Sequence, residues 1–267
     1  MAYCVFLILM VFIYLCNPSI RKFKKLPHTC VGDLDDVTLG FAYYSENNDY
    51  KVVRISNTPL SAPEIEVYTL SSDSWKRVKF LLRAFNVRFY VVLLVPLVSG
   101  ALHWMAHITE GEEDHRSDLI MAFDVNSEKF SKLALPDGCI EADICCGWFL
   151  ASFNGKLAFI TFESFNEQPG FQCQYSIWVM KDYAVAASWN KLFVVPLERV
   201  AYCLAFTGYG SLVVFYIEEQ VERLGLKRAL VDTESLHEKD LDIQDPSFVV
   251  TFMESLILLD GANVASF

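Results

Sequence analysis

Short runs of apolar and aromatic residues alternate with clusters of Asn, Asp, Ser and Pro along most of the chain. Three stretches each contain an apolar run, a polar turn and then an aromatic residue: "EVYTLSSDSW", "IMAFDVNSEKF" and "IWVMKDYAVAASW". Runs bounded by turn residues in this way are typical of two strands joined by a hairpin. The pattern therefore predicts an all-β chain, in which residues 218–230 are the only candidate for a helix.

The first repeated marker is Gly-x-Leu at the start of an apolar run. It occurs at Gly100 ("GALHW"), Gly155 ("GKLAF") and Gly210 ("GSLVV"), at intervals of 55 residues, and Gly40 opens a looser version, "GFAYY". A glycine within a strand often marks a place where another backbone approaches closely. We therefore interpret these glycines as the starts of inner strands in a repeated unit.

The second marker is an aromatic residue followed two positions later by Lys or Arg and then by Leu or Val. It occurs at Phe23, Trp75, Phe130 and Trp189, at intervals of 52, 55 and 59 residues. We predict that this aromatic residue begins the outermost strand of each unit and packs between neighbouring units. A fifth aromatic residue belongs near residue 240, but "LHEKDLDI" stands there, and residues 216–245 fit the pattern poorly.

Two markers with one period indicate one structural unit that is repeated along the chain. A unit of several short strands suggests a propeller blade, and kelch blades contain about 50 residues. The sequence therefore predicts one β-propeller-like domain over residues 1–267, with about five kelch-type blades that form a complete or an incomplete ring. A β-sandwich is the alternative fold, but it does not explain a regular period.

The N-terminal apolar run, residues 2–16, is the one segment with the composition of a membrane anchor. It is shorter than the roughly 20 residues that a spanning helix needs. Its positive charges follow the run, whereas a signal peptide carries them before it. We interpret the run as one or two buried strands of the first unit and expect no membrane association. A protein anchored through residues 2–16 is the alternative.

Composition narrows the class of protein and its compartment. The chain is 53% hydrophobic with a net charge of −11, which argues against disorder and against general binding of nucleic acid. The basic stretch "NPSIRKFKK" matches the Lys and Arg of the other repeats, so we interpret it as structural. Eight cysteines without a CxxC pair favour reduced thiols, and hence the cytoplasm or nucleus.

The strongest chemical candidate is a pair of histidines four residues apart, His103 and His107, beside the acidic loop "GEEDH". A metal-dependent propeller enzyme using these histidines is a further alternative. The pattern of this segment nevertheless predicts a strand, and the segment lacks the glutamate of a zinc-protease motif. Cys145 and Cys146 are adjacent, so we interpret both as core residues. Since no phosphate-binding loop or nucleophile motif is present, we predict neither catalysis nor a cofactor.

The chain resembles the plant F-box-associated domain, the β-propeller-like region of a large family of plant F-box proteins. The resemblance covers about residues 11–261, where "FMESLILLDG" (252–261) is similar to the family's closing strand. It is carried by these stretches: "NPSIRKFKKLP", "GFAYYSENNDYKVVRI", "EVYTLSSDSWKRV", "GALHWMA", "IMAFDVNSEKFSKLALP" and "IWVMKDYAVAASWNKLF".

The resemblance implies a protein-interaction domain that recognises the substrate of an SCF-type ubiquitin ligase and has no catalysis of its own. Its expected partner is a target protein, while a Skp-type adaptor and a cullin would bind through an F-box module. We expect that module to be absent here, because Met1 falls almost on the first strand.

Propellers commonly bind partners through loops, so the long loops are the candidate contact sites. They lie around residues 56–64, 108–117 and 163–173. Exposed aromatic side chains are frequent anchors in protein interfaces. We therefore predict Phe165 and Phe171 as partner-binding residues.

Overall fold

The structure is a computed structural model, and all of its described regular structure is β-strand apart from two short 3₁₀ turns, Pro18–Ile20 and Ala186–Ser188. The all-β prediction is therefore confirmed for the part of the chain that the structure describes. That part consists of residues 5–9, 12–29, 36–44, 46–58, 62–81, 86–92, 95–110, 115–139, 145–165, 172–197, 201–207, 211–220, 223–241 and 264–266.

The strands form five antiparallel sheets that follow one another along the chain, each for the most part a meander. The first sheet begins with β1 (Val5–Leu9), β2 (Phe12–Asn17) and β3 (Lys22–Lys25). The second contains β4 (Val37–Tyr44), β5 (Asp49–Ser56), β6 (Glu64–Thr69) and β7 (Ser74–Val78). The third contains β8 (Asn86–Phe89), β10 (Ala101–Glu110), β11 (His115–Asp124) and β12 (Lys129–Leu133), and the two-residue strand β9 (Leu97–Val98) precedes β10.

The fourth and fifth sheets repeat the same order. The fourth contains β13 (Cys145–Phe153), β14 (Lys156–Phe165), β15 (Gln172–Met180) and β16 (Trp189–Leu197). The fifth contains β17 (Ala201–Phe206), β18 (Leu212–Gln220), β19 (Arg223–Val231) and β20 (Glu238–Asp240). Four consecutive antiparallel strands are the structure of a propeller blade. The predicted repeat of about 55 residues therefore corresponds to one sheet.

The interpretation of residues 218–230 as a possible helix is wrong. β18 and β19 pair in continuous register from Leu212 with Val231 to Gln220 with Arg223. The buried side chains of Val214, Ala229 and Val231 join the core shared by the fourth and fifth sheets. The alternation of side chains between the two faces of the sheet therefore determines the structure of this segment. Its charged residues lie near the hairpin turn. β20 falls where the fifth aromatic residue was expected, and its three residues are exposed.

The chain separates into two compact units. One holds the first three sheets apart from β9 and the end of β12, and the other holds the fourth and fifth. In the first unit the C-terminal strand β21 (Val264–Ser266) pairs with β3 and so extends the first sheet. The predicted closing strand at residues 252–261 lies outside the described residues.

The interpretation of the glycine marker is wrong for Gly100 and Gly155. Both lie in tight turns at positive φ, 76° and 73°, and a Cβ added at either position would meet nothing within 4 Å. The strands that follow them, β10 and β14, are second in their sheets rather than innermost. Glycine is present there because it adopts the left-handed conformation readily. Gly210 lies outside the described residues.

The aromatic marker is confirmed at the start of the last strand of the second, third and fourth sheets. Trp75 packs against a cluster that includes Leu15 of the first sheet and Val52 of the second, so it fills the space between two sheets. Its indole Nε1 donates a 2.9 Å hydrogen bond to the carbonyl of Pro27. In the second unit, Trp189 Nε1 donates a 2.9 Å bond to the carbonyl of Ala134.

The hydrogen bonds of Trp75 and Trp189 connect the same two positions of the repeat. Pro27 lies four residues after Phe23, and Ala134 lies four residues after Phe130. Each indole therefore bonds to the carbonyl four residues beyond the aromatic marker of the preceding repeat. Phe130 has no N–H to donate, and it packs instead in an aromatic cluster with Phe80, Phe89 and Phe123.

Replacing Trp75 or Trp189 by phenylalanine is expected to lower the free energy of unfolding by about 1–2 kcal/mol, because a partly buried carbonyl loses its donor. Chemical denaturation of each variant measures the change. Trp178→Phe is the matched control, since its indole nitrogen has no hydrogen-bond partner in the described structure. An equal loss of stability in all three variants would show that ring volume, not the hydrogen bond, is responsible.

The N-terminal apolar run forms the hairpin β1–β2, as predicted for buried strands. Val5 pairs with Cys16 and Leu9 with Phe12, and the side chains of Ile13 and Leu15 are buried in the core between the first and second sheets. The Cys16 thiol is half-buried, and burial raises its pKa. In the described part of the chain, no helix is both long and apolar enough to cross a membrane.

Candidate interaction surface

The predicted contact residues Phe165 and Phe171 flank the connection between β14 and β15. Phe165 is the last residue of β14, and its backbone pairs with Gln172. The side chain of Phe165 and the whole of Phe171 lie outside the described residues, so their role in partner binding stays a prediction.

Each of the three predicted loops connects the second and the third of the four main strands in its sheet. They join β5 to β6, β10 to β11 and β14 to β15. Two of them are shorter than predicted, because the strands run on to Glu110 and Phe165. Equivalent connections lie at the same end of each sheet. The sequence thus identified corresponding loops, although most of their residues lie outside the described structure.

The two candidate metal ligands have different surroundings. His103 is buried in β10, while His107 Nδ1 lies 3.0 Å from Asp118 Oδ1 on the neighbouring strand. Tyr90 donates its hydroxyl to the same carboxylate oxygen, and burial together with Asp118 raises the pKa of Tyr90 to about 12. Among the described residues no cluster of His, Cys, Asp or Glu has the arrangement of a metal site.

The basic N-terminal stretch contributes to the fold through Lys24. This lysine is almost fully buried, and its ammonium lies 3.1 Å from the Asp73 carboxylate in the β6–β7 turn. Lys76 and Glu128 repeat the arrangement one unit later, at 2.9 Å. In both pairs the lysine follows the aromatic marker, and the acid stands two residues before the next marker. Lys24 therefore has a structural role, but at the position directly after the aromatic residue and not at the position two residues after it on which the prediction is based.

Glu128 is the centre of a larger polar network between the second and third sheets. It accepts hydrogen bonds from Lys51 and Lys76, both at 2.9 Å, and Lys51 also donates to the Val125 carbonyl. The Lys51 ammonium lies 4.9 Å from the centre of the Tyr44 ring. Burial opposes ionisation of Glu128, but the two lysines outweigh it and lower the pKa of the carboxyl.

Because its pKa is lower in the folded state, Glu128 stabilises the fold above its unfolded pKa, near 4.5. This stabilisation is lost as the pH falls from there through the folded pKa. Glu128→Gln is therefore expected to reduce stability at pH 7 and to flatten the fall in stability below about pH 4.5. Urea unfolding at pH 7 and at acid pH tests this. Glu234→Gln, at an exposed position, is the control, and an unchanged acid dependence in the Glu128 variant would contradict the assignment.

An exposed apolar surface that the sequence did not predict lies at the outer edge of the fourth sheet. We call it the β16 edge: strand β16 together with the turn at residues 181–188. It exposes the side chains of Tyr183, Val185, Leu192 and Val194, the last two at 45% each. Val195 on the same strand is fully buried. The sequence signal was the run "LFVVP", whose alternate residues face outward from a strand at the edge of its sheet.

Comparison with known proteins identifies the family. The family described as the F-box associated beta propeller domain matches residues 5–219, which is most of the chain. The chain belongs to this family. The match includes the first four sheets without β21 and the strands β17 and β18, and it ends before β19. The resemblance inferred from the repeat motifs is thus confirmed, together with a β-propeller-like fold.

This F-box associated domain is similar to parts of several F-box proteins of Arabidopsis thaliana. It is 26% identical to the F-box protein CPR1, over 68% of this chain and 48% of that protein. It is 26% identical to the F-box protein At4g22390, over 67% and 47%. The F-box/kelch-repeat protein At3g23880 is 24% identical, over 69% and 48%. The chain thus spans about half the length of the curated relatives it matches.

Membership in the F-box associated family fits a protein-interaction role. The described structure offers two kinds of surface for that role: the connections between second and third strands, and the β16 edge. Several charged groups of the first unit, such as Lys24 and Asp73, are engaged in structural pairs, which makes these groups poor candidates for binding. The β16 edge is the described surface where apolar side chains are grouped in the open.

Proposed function

We propose that this chain is the target-binding part of an F-box protein and holds a protein for ubiquitination by an SCF-type ligase. The single observation that carries the proposal is the family match over residues 5–219. The relatives support it, because they are F-box proteins matched over two thirds of this chain. In this function the domain performs no covalent chemistry, and its partner is the target protein. A Skp-type adaptor and a cullin would bind through an F-box module.

The exposed apolar side chains are consistent with capture of a protein. Apolar and aromatic residues at the centre of an interface supply most of the binding energy in protein complexes. The net charge of −11 disfavours nucleic acid as the partner. We further propose that the protein acts in the cytoplasm, the nucleus or both, and imaging of a tagged chain in plant cells tests this. Resistance of the tagged chain to carbonate extraction from membranes would contradict it.

Crosslinking mass spectrometry tests the capture of a target. The tagged chain is expressed in plant cells, and the equivalent domain of the F-box protein CPR1 serves as the matched control. We expect at least one protein to crosslink to this chain and not to the control, and to bind the purified chain directly. If no protein is enriched over the control, the proposed function is wrong.

A second experiment tests the link to ubiquitination. The chain is fused to an F-box module, and the half-life of the captured protein is compared with that in cells expressing the unfused chain. We expect faster loss of the captured protein with the fusion, prevented by a proteasome inhibitor. An unchanged half-life would separate protein capture, which would stand, from ligase function, which would not.

A further inference from the structure

We propose that the β16 edge binds an extended, acidic peptide segment of the captured protein. This inference rests on the proposed function, since it assumes that the chain captures proteins. It assigns a site and a partner chemistry to that function. The features that carry it are an edge strand, a pair of outward apolar side chains, a surplus of positive charge and unpartnered buried polar groups.

β16 is a strand whose outer side is open. It is the last strand of the fourth sheet, and none of the described strands pairs with it on the side away from β15. Such an edge presents backbone groups that can pair with an added strand. Pro196 lacks an N–H and limits this pairing near the end of the strand, so the usable edge begins at Trp189 and ends before Pro196.

The outward face of the strand carries the apolar contacts. From residue 192 onward, Leu192 and Val194 are exposed, while Val195 is buried and Phe193 packs against the core. A bulge between Ile177 and Trp178 leaves Leu192 without a register partner on β15. Edge strands are usually protected by charge or by very short length. Two exposed aliphatic side chains on a nine-residue edge strand therefore indicate a surface that a bound partner covers.

The charge around the edge selects the class of partner. Lys181 and Lys191 lie within it, Lys156 donates to the Lys181 carbonyl at 3.0 Å, and Asp182 is the only described acid in the turn and strand. This local surplus of positive charge contrasts with a chain of net charge −11. A second copy of the chain would also carry a net charge of −11, so the two copies would repel each other. An acidic segment of another protein is complementary.

Two buried groups beside this face lack hydrogen-bond partners within the described structure, Ser176 Oγ and Trp178 Nε1. Ser176 is the register partner of Val194, and Trp178 is the register partner of Lys191. The Lys191 ammonium lies 4.7 Å from the centre of the Trp178 ring. The exposed Lys191 ammonium only donates hydrogen bonds and carries a positive charge, so a partner rich in carboxylate and carbonyl oxygens is complementary to it.

Fluorescence anisotropy tests the site with a defined probe, the labelled heptapeptide Glu-Val-Asp-Leu-Glu-Val-Asp. Its counterpart with lysine at every acidic position is the control peptide. We expect saturable binding of the acidic peptide and binding of the lysine peptide that is weaker by at least about tenfold. Equal binding of the two peptides, or no saturable binding of the acidic one, would overturn the proposal.

Matched variants locate the binding. Lys191→Glu and Leu192→Asp are each expected to weaken binding of the acidic peptide by at least about tenfold. Lys132→Glu, at the equivalent position of the preceding repeat, and Leu81→Asp, at another exposed leucine, are expected to change it by less than about twofold. Because all four side chains are exposed, each variant should keep the wild-type unfolding midpoint. Equal weakening by the Lys132 and Lys191 variants would place the binding elsewhere.

The same variants separate this proposal from the proposed function. If a protein crosslinks to the chain in cells and binds the Lys191 and Leu192 variants unchanged, the β16 edge is not the site, although the function stands. If no protein crosslinks to the chain, the function itself fails, whatever the peptide shows.

Discussion

Glu66→Ala is expected to lower the free energy of unfolding by about 3–5 kcal/mol, because it leaves a buried guanidinium without its carboxylate. Arg54 and Glu66 are cross-strand neighbours on β5 and β6, with 3.5 Å between Nη1 and Oε2. Their side chains are 0% and 1% exposed. Burial lowers the pKa of Arg54, while Glu66 and Glu64 oppose that shift. Urea denaturation of purified variants measures the loss.

Two controls show whether charge is the cause. Glu64→Ala, on the same strand but exposed, is expected to change stability by less than about 0.5 kcal/mol. The double variant Arg54→Met, Glu66→Leu removes both charges and fills a similar volume. It is expected to lie within about 1–2 kcal/mol of the wild type, because replacing a whole buried pair costs far less than breaking it. A double variant as unstable as Glu66→Ala would attribute the loss to packing instead.

The repeat made most of the fold predictable. The aromatic marker identified the last strands of three sheets, and in the first unit Trp75 fills the space between the first and second sheets. The hydrogen bonds of Trp75 and Trp189 explain why tryptophan suits this position, since only its ring carries the N–H that reaches the carbonyl of the previous repeat.

Other features could not be predicted from local pattern alone. The segment at residues 218–230 fits the repeat pattern poorly, which left a helix as a possibility, yet its strands are fixed by pairing and by the burial of Ala229 and Val231. The Gly-x-Leu marker was located correctly and explained wrongly, because the sequence does not show the sign of φ at Gly100 and Gly155. Ion pairs such as that of the buried Lys24 with Asp73 join residues from different repeats, which no single segment reveals.

The candidate surface was harder to predict than the fold. Phe165 and Phe171 were chosen because aromatic residues in loops are common anchors, and they remain predictions. The β16 edge was missed because Leu192 occupies the repeat position at which Leu26 and Leu133 are buried. A bulge in the register with β15 changes the alternation at this point and leaves Leu192 exposed. Position in a repeat predicts burial only where the register is regular.

Gly40→Ala is expected to lower the free energy of unfolding by about 3 kcal/mol, the upper part of the range for overpacking a core. Gly40 lies in the middle of β4, and a Cβ there would stand 2.5 Å from Cζ2 of Trp104 and 2.8 Å from Cδ1 of Leu102. The Trp104 ring is fully buried, and its Nε1 donates to Thr38 Oγ1 at 3.2 Å, so the ring has little freedom to move. Thermal and urea denaturation measure the effect.

The cause is tested by removing the ring that the methyl group would meet. Trp104→Leu alone is expected to destabilise the protein by about 3 kcal/mol through the cavity that it leaves. Combined with Gly40→Ala, it should cost at least about 1 kcal/mol less than the sum of the two single changes, because the contacts of the new methyl group with the Trp104 ring are then removed and only that with Leu102 Cδ1 remains. Gly147→Ala is the control in another strand, where an added Cβ meets nothing within 4 Å. If the Gly40 and Trp104 effects add without coupling, backbone conformation rather than contact with the ring explains why glycine is needed at position 40.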